Sequence, residues 1–354
     1  MTYAIIMAGG VGSRFWPRSR KQKPKQMLNI FGSNTLLQET VARISQLVPS
    51  ENLQVVTTQD LSETIKQQLP DLKGANFIIE PVGRNTAPCI GLAAVNLAQT
   101  DPDGMMIVLP ADHLISDSGR FLNCLRQALE TAQEHDALVT IGIKPTHPET
   151  GYGYIQYNQA KSKSGGAYEV ITFAEKPNLE TAKRFLASGD FLWNSGMFIW
   201  SVRRILKEME SSLPEHYSIL LEVQELLKSG QREQAHSLYA SVRSISVDIG
   251  IMEKARNVAV VRGDFSWTDV GNWAEVYRLS PKDKNGNVNL NGNVLIEAKN
   301  CYIDSPDRFV ALVGVQDLII INTADALLIC HRDRAQDVKS AVEYMERHNL
   351  EKYL

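Results

Sequence analysis

The sequence predicts an α/β fold, a mainly parallel sheet flanked by helices, followed by a small β domain and a terminal helix. Three observations carry this. Between residues 3 and 141, short apolar runs alternate with stretches of helical spacing, the pattern of strands and helices around a parallel sheet. The first apolar run ends at once in glycines. Beyond about residue 282 the helical spacing gives way to closely set β-type runs separated by turn residues.

Each element follows from its own residues. Residues 3–7 are isoleucine-rich and read as a buried strand opening into a loop. Residues 36–47 place Leu36, Leu37, Val41, Ile44 and Leu47 at helical spacing. Residues 54–57 and 77–79 read as strands and 61–69 as a helix. A helix with small residues on one face covers 86–98. A strand at 105–109 stops at Pro110, a helix covers 121–134, and a strand covers 137–141. From Tyr152 the pattern changes. Residues 152–157 and 168–173 predict an antiparallel insertion joined by a polar stretch at 161–166. Residues 181–186, 202–209 and 215–239 are helical, the last broken near Gly230. Five β-type runs (293–297, 302–304, 309–313, 318–322 and 326–330) predict a short β-helix or barrel. Residues 333–347 form an amphipathic helix. The expected domains are 1–282 and 283–354.

Bulk composition narrows the function classes. Among the 354 residues, 44% are apolar and 22% charged, too apolar for disorder. A net charge of −3 argues against a general nucleic-acid binder. Cys89, Cys124, Cys301 and Cys330 form no Cys-x-x-Cys pair, which argues against zinc or a redox dithiol and fits a reducing compartment. No apolar run approaches the roughly 20 residues of a membrane span, and no basic leader precedes the first strand. We expect a cytoplasmic protein without membrane contact.

The first strand feeds Ala8, Gly9, Gly10, Val11, Gly12, Ser13 and Arg14. Glycines let backbone N–H groups approach an anion, and such a loop running into a helix binds phosphate. A tight turn is the equal alternative for the glycines alone. No Gly-Lys-Ser/Thr follows, and the spacing does not match Gly-x-Gly-x-x-Gly. Arg14 and Lys25, the latter within Pro24-Lys25-Gln26, are two cations suited to a triphosphate. Much of 18–25 otherwise reads as a solvated basic segment.

Three further regions carry polar groups at element ends. Glu80, Arg84, Asn85 and Thr86 lie between a strand and a helix, where Asn85 or Thr86 can cap. Pro110-Ala111-Asp112-His113 ends a strand, where ligands of open parallel sheets bind. A carboxylate there can hold Mg²⁺, or serve as a turn residue; His113 orients it or simply packs. Asp269, between Trp267 and Trp273, is a second carboxylate in an aromatic corner. Gly153 allows close approach to the backbone. Glu175 and Lys176 set an acid and a base beside Pro177, suited to a polar ligand, or form a surface ion pair of little energetic worth. Asn194 offers both donor and acceptor, or shapes a turn.

Residues 7–14, with Phe15-Trp16-Pro17 and Pro24-Lys25-Gln26, resemble the signature of the sugar nucleotidyltransferases. The form ending in Pro-Lys-Gln resembles the bacterial mannose-1-phosphate guanylyltransferases. The resemblance covers roughly residues 3–280 as an ordered series of motifs and extends more loosely beyond. It implies a Rossmann-like nucleotidyltransferase fold with a short left-handed β-helix-like segment at the C-terminus. It assigns Ala8, Gly9, Gly10, Gly12, Ser13, Arg14 and Lys25 to the triphosphate. Glu80, Arg84, Asn85 and Thr86 go to the base, and Pro110 and Asp112 to the nucleotide. Asp112 and Asp269 go to Mg²⁺, and Gly153, Glu175, Lys176, Asn194 and Ser195 to the sugar phosphate. Arg14, Lys25, Asp112 and Asp269 are the catalytic candidates. The implied reaction joins GTP and mannose-1-phosphate by in-line attack on the α-phosphate. Alternatives are UTP or dTTP with glucose-1-phosphate, or a non-catalytic nucleotide-sugar sensor; a dinucleotide oxidoreductase is a poor fit. Longer relatives carry a cupin-type isomerase domain, and the length of this chain leads us to expect no isomerase activity. Exposed β edges lead us to expect a homodimer.

Overall fold

A computed structural model describes residues 1–162 and 166–354. Its strands are β1 (Thr2–Met7), β2 (Leu53–Thr58), β3 (Phe77–Glu80), β4 (Met105–Pro110), β5 (Leu114–Ile115), β6 (Leu138–Ile143), β7 (Tyr154–Ser162), β8 (Ala167–Ala174), β9 (Phe191–Ser201), β10 (Val258–Gly263) and β11 (Trp267–Thr268). The helices among them are α1 (Leu36–Ile44), α2 (Ser62–Gln68), α3 (Thr86–Leu97), α4 (Ser118–His135), α5 (Leu179–Ser188), α6 (Val202–Ser212), α7 (Pro214–Lys228) and α8 (Arg232–Ser241). By internal contacts the chain forms two compact units, Met1–Gly9 with Thr40–Trp267, and Gly10–Glu39 with Thr268–Leu354. This grouping cuts the chain differently from a division at residue 282.

The first unit is built on a nine-stranded sheet in the order β3-β2-β1-β4-β9-β6-β10-β8-β7. β3, β2, β1 and β4 run parallel, as the alternating pattern predicts. β9 breaks the series, lying antiparallel between β4 and β6. The sequence pattern marks neither β9 nor β10. The Asn-Ser-Gly inside β9 reads as a turn, and the structure absorbs it as a bulge in the pairing with β6. The antiparallel insertion is not a separate hairpin, because β8 pairs with β10 and β7 also pairs with β9. Part of the expected polar connection, residues 163–165, lies outside the described residues.

Strand periodicity explains how the sheet is covered. Tyr3, Ile5, Met106 and Val108 belong to one buried cluster with residues of α3, α6, α7 and α8. The intervening Ala4, Ile6 and Ile107 are equally buried. Side chains alternate between faces along a strand, so the second face is covered too. α4, which packs on β4, β6, β9 and β10 and gives nothing to that cluster, covers it. The helical break expected near Gly230 separates α7 from α8, where Gly230 takes φ +78°, a conformation with little cost for glycine.

In the second unit α9 (Trp273–Leu279) is followed by β12 (Val288–Asn289), β13 (Val294–Ile296), β14 (Tyr302–Asp304), β15 (Ala311–Val313), β16 (Leu318–Asn322) and β17 (Leu327–His331), then α10 (Val338–Arg347). Val288 pairs in parallel with Tyr302, and Tyr302 with Ile319, while β13 pairs in parallel with β15. Parallel rungs stacked coil on coil form the β-helix-like segment, and β17 closes it antiparallel to β16. Cys301, Ile303 and Ile320 fill its interior with Leu295 and Leu312 packed against them. Asparagines complete the corners. Asn287 accepts the Cys301 N–H at 3.0 Å, and Asn293 the Val310 N–H at 2.9 Å, which satisfies backbone donors where the coil turns.

Candidate active site

Within the second unit, Gly12 takes φ +67°, and a Cβ built there would lie 2.3 Å from the Lys25 Cβ. Only glycine permits both the left-handed turn and this approach. Lys25 is 6% exposed. Its ammonium donates to the Asp269 carbonyl and lies 5.7 Å from the Phe15 ring centre. Two catalytic candidates 244 residues apart are thus joined. Val270 beside them has φ +46°, a costly conformation for a β-branched residue and one that recurs at functional sites. Its N–H donates to the Thr268 hydroxyl at 3.1 Å, and that hydroxyl donates to Glu275 at 2.9 Å. Trp273 packs 5.1 Å from Phe15 and donates its indole N–H to the Trp16 carbonyl at 3.1 Å. The Phe-Trp-Pro and Trp-containing motifs therefore form one aromatic corner under Lys25. Arg14 is exposed.

In the first unit the expected base segment follows β3. Glu80 is 2% exposed and accepts the Tyr239 hydroxyl. Burial outweighs hydrogen bonds from Tyr239 and Cys89 and pushes its carboxyl up to about 7. Its other oxygen faces Gly9, where a Cβ would stand 3.5 Å away. Glu80 is a buried strut beside Gly9, because β3 delivers it into the core. Arg84 donates to the Ala240 carbonyl. Thr86 accepts the Val247 N–H at 2.8 Å, and the Ala87 N–H donates to Ile245 at 3.1 Å. Residues 239–247 thus clamp the whole segment. Asn85 is exposed, with φ +72° and its amide oxygen on the Thr86 N–H at 2.8 Å.

β4 ends at Pro110 and presents Asp112, its side chain 36% exposed. Trp267 donates its indole N–H to His113 Nδ1 at 3.2 Å. An indole only donates, so Nδ1 accepts and the neutral ring carries its proton on Nε2. Nε2 stands 4.0 Å from Asp112. His113 packs edge-on to Trp267, with ring centres 5.4 Å apart.

Four of the five expected sugar-phosphate residues meet in the same unit. A Cβ on Gly153 would lie 2.9 Å from Glu175 Oε2 and 3.7 Å from Asn194 Nδ2. Lys176, at φ +41°, donates to Glu175 at 2.5 Å. Tyr152 stands 5.2 Å from both Trp193 and Trp267 and walls this side. Ser195 differs from expectation. It is 1% exposed and donates its hydroxyl to the Ile141 carbonyl at 2.6 Å, fastening the β9 bulge. Asn194 Nδ2 donates to Asp248 at 2.6 Å. Burial, then the neighbouring Glu175 charge, raises the Asp248 carboxyl; burial and Glu175 likewise raise Glu253. Sequence reasoning misses Asp248, Glu253 and Tyr239. The only signal for Asp248 is an acid set between Val247 and Ile249.

Among the described residues no group of three or more His, Cys, Asp or Glu could hold a metal by itself. Magnesium does not need one, since it takes one or two carboxylates and completes its shell with substrate phosphate and water. The half-exposed Asp112 carboxylate is the hard oxygen donor such an ion uses.

Comparison with known proteins places this geometry. The nucleotidyl transferase family model matches residues 3–286, and a MannoseP isomerase/GMP-like beta-helix domain matches residues 291–345. Mannose-1-phosphate guanylyltransferases of Klebsiella pneumoniae and Escherichia coli are each 41% identical over 100% of this chain and 76% of their own. A solved structure from Thermus thermophilus, described as a mannose-1-phosphate geranyltransferase, is 35% identical over 98% of this chain and 99% of its own, with a TM-score of 0.85. The chain therefore belongs to the nucleotidyl transferase family, in its mannose-1-phosphate guanylyltransferase branch.

Proposed function

We propose that this chain transfers GMP from GTP to mannose-1-phosphate, releasing pyrophosphate and forming GDP-mannose. The observation that carries the chemistry is the buried Lys25 ammonium held on the Asp269 carbonyl beside left-handed Gly12. In-line attack by a sugar phosphate oxygen on the α-phosphorus needs no covalent intermediate on the protein. The chain then contributes positioning and charge stabilisation. The glycine loop and Arg14 bind the triphosphate, and Lys25 stabilises the charge that develops. A cation already fixed by its own chain loses little freedom on reaction. Lys176 holds the attacking phosphate, with Glu175 and Asn194 on sugar hydroxyls. Asp112 and Asp269 would hold magnesium, which when bound neutralises phosphate oxygens. We further propose a cytoplasmic homodimer. Exposed Val294, Ile296, Phe309 and Val313 on the β-helix-like segment support self-association. No helix among the described residues is long and apolar enough to cross a membrane.

The test is pyrophosphate release with Mg²⁺, offering GTP, ATP, UTP and dTTP against mannose-1-phosphate and glucose-1-phosphate. Release with GTP and mannose-1-phosphate alone is the expected result. Release with another pair overturns the substrates, and no release with any pair overturns the activity.

A further inference from the structure

The Asn194 amide is the best-defined hydrogen-bonding group of the sugar half. Its oxygen accepts the Gly196 N–H at 3.1 Å, while the nearby Thr140 hydroxyl donates at 3.2 Å to the Met197 carbonyl. Its nitrogen donates to Asp248 Oδ1 at 2.6 Å. Gly196 is left-handed, at φ +68°, and its backbone is fixed by the β9 bulge. These contacts decide which way the amide points. With the oxygen facing Gly196 and the nitrogen facing a carboxylate, a flip would set carbonyl oxygen against carboxylate oxygen and amide hydrogens against N–H. Nδ2 lies 3.7 Å from the point a Gly153 Cβ would take, and Glu175 Oε2 lies 2.9 Å from the same point. Asp248 itself reaches Asn194 from the segment 239–248. That same segment clamps the base-side residues through Tyr239 on Glu80, Ala240 on Arg84 and Val247 on Thr86.

We infer that Asp248 is a positioning residue for the sugar. It locks the Asn194 amide so that an N–H, and not a carbonyl oxygen, meets a sugar hydroxyl. The inference rests on the sugar-pocket reading above. The hydroxyl it meets acts as the acceptor, so mannose-1-phosphate binding falls when the lock is lost, while GTP binding does not.

The test is steady-state kinetics of Asp248→Ala, Asp248→Asn, Asn194→Ala and the Asn194→Ala/Asp248→Ala double variant. KM is measured for each substrate with the other saturating. We expect Asp248→Ala to raise KM for mannose-1-phosphate about tenfold, the size expected for losing a hydrogen bond to a charged group, with KM for GTP unmoved. Asp248→Asn, whose amide oxygen can still accept from Asn194, should recover most of the loss and guards against a folding defect in the alanine variant. The double variant should be no worse than Asn194→Ala, because both remove one coupled interaction. Additive losses, or an unchanged sugar KM in Asp248→Ala beside a raised one in Asn194→Ala, overturn the role of Asp248. An unchanged sugar KM in Asn194→Ala overturns the pocket reading itself. Equal rises for GTP and sugar point to general structural damage and also overturn the inference.

Discussion

Replacing Glu80 by glutamine tests the reading of its carboxyl as a buried strut. The side chain is 2% exposed, and burial pushes it from 4.5 up to about 7. A folded value above the unfolded one means that the folded chain binds more protons between them. Wild-type stability therefore falls as pH rises from about 4.5 to about 7 and stays level above. Glutamine has the same shape, keeps an oxygen for the Tyr239 hydroxyl and cannot ionise, so it lacks that fall. Integrating the linkage between pH 5 and pH 8 gives about 2–3 kcal/mol of relative gain for Glu80→Gln, nearly all of it reached by pH 8. Other raised carboxyls, such as Asp248 and Glu253, act on both proteins alike and cancel in the difference. Urea unfolding at pH 5, 6, 7 and 8 is the assay, and the difference in midpoint between the two proteins should widen by roughly 0.5–1 M. Curves that stay parallel across this range would refute the burial argument and restore an ionised, solvent-reached Glu80.

Three further perturbations address the phosphate side. Lys25→Ala should lower kcat by about 10²–10³ while changing GTP affinity far less, measured by rapid quench beside equilibrium titration; an unchanged kcat removes Lys25 from the reaction. Gly12→Ala forces a side chain into φ +67° and against Lys25, and should cost roughly 1–3 kcal/mol in thermal unfolding, so an unmoved transition would show the loop relaxes freely. Chelation of divalent ions should abolish pyrophosphate release, with recovery on adding Mg²⁺ alone; release that persists in chelator contradicts the assignment of Asp112 and Asp269.

Local order is legible in the residues. The isoleucine run into glycines, the strand stopping at Pro110 and the break at Gly230 all depend on neighbours a few positions apart. Backbone sterics and side-chain periodicity act at that range, so β1, β4 and the α7–α8 junction follow from sequence. The residue types and order of the glycine loop, Arg14 and Lys25 follow likewise. Other features arise only when distant segments meet. β9 contains Asn-Ser-Gly, which reads locally as a turn, and only its pairing between β4 and β6 makes it a central strand. Glu80 and Tyr239 stand 159 positions apart, and Asn194 and Asp248 stand 54 apart. Burial and hydrogen-bond partnership set the carboxyl of Glu80 and the amide of Asn194, and neither quantity exists until the chain folds. The sequence by itself determined which chemical groups are present and, outside β9 and β10, where the main elements of the first unit lie. The tertiary structure alone decided which groups are exposed, which hold one another in place, and that Glu80 and Ser195 are buried on Tyr239 and Ile141, because burial and long-range partners exist only once the chain folds.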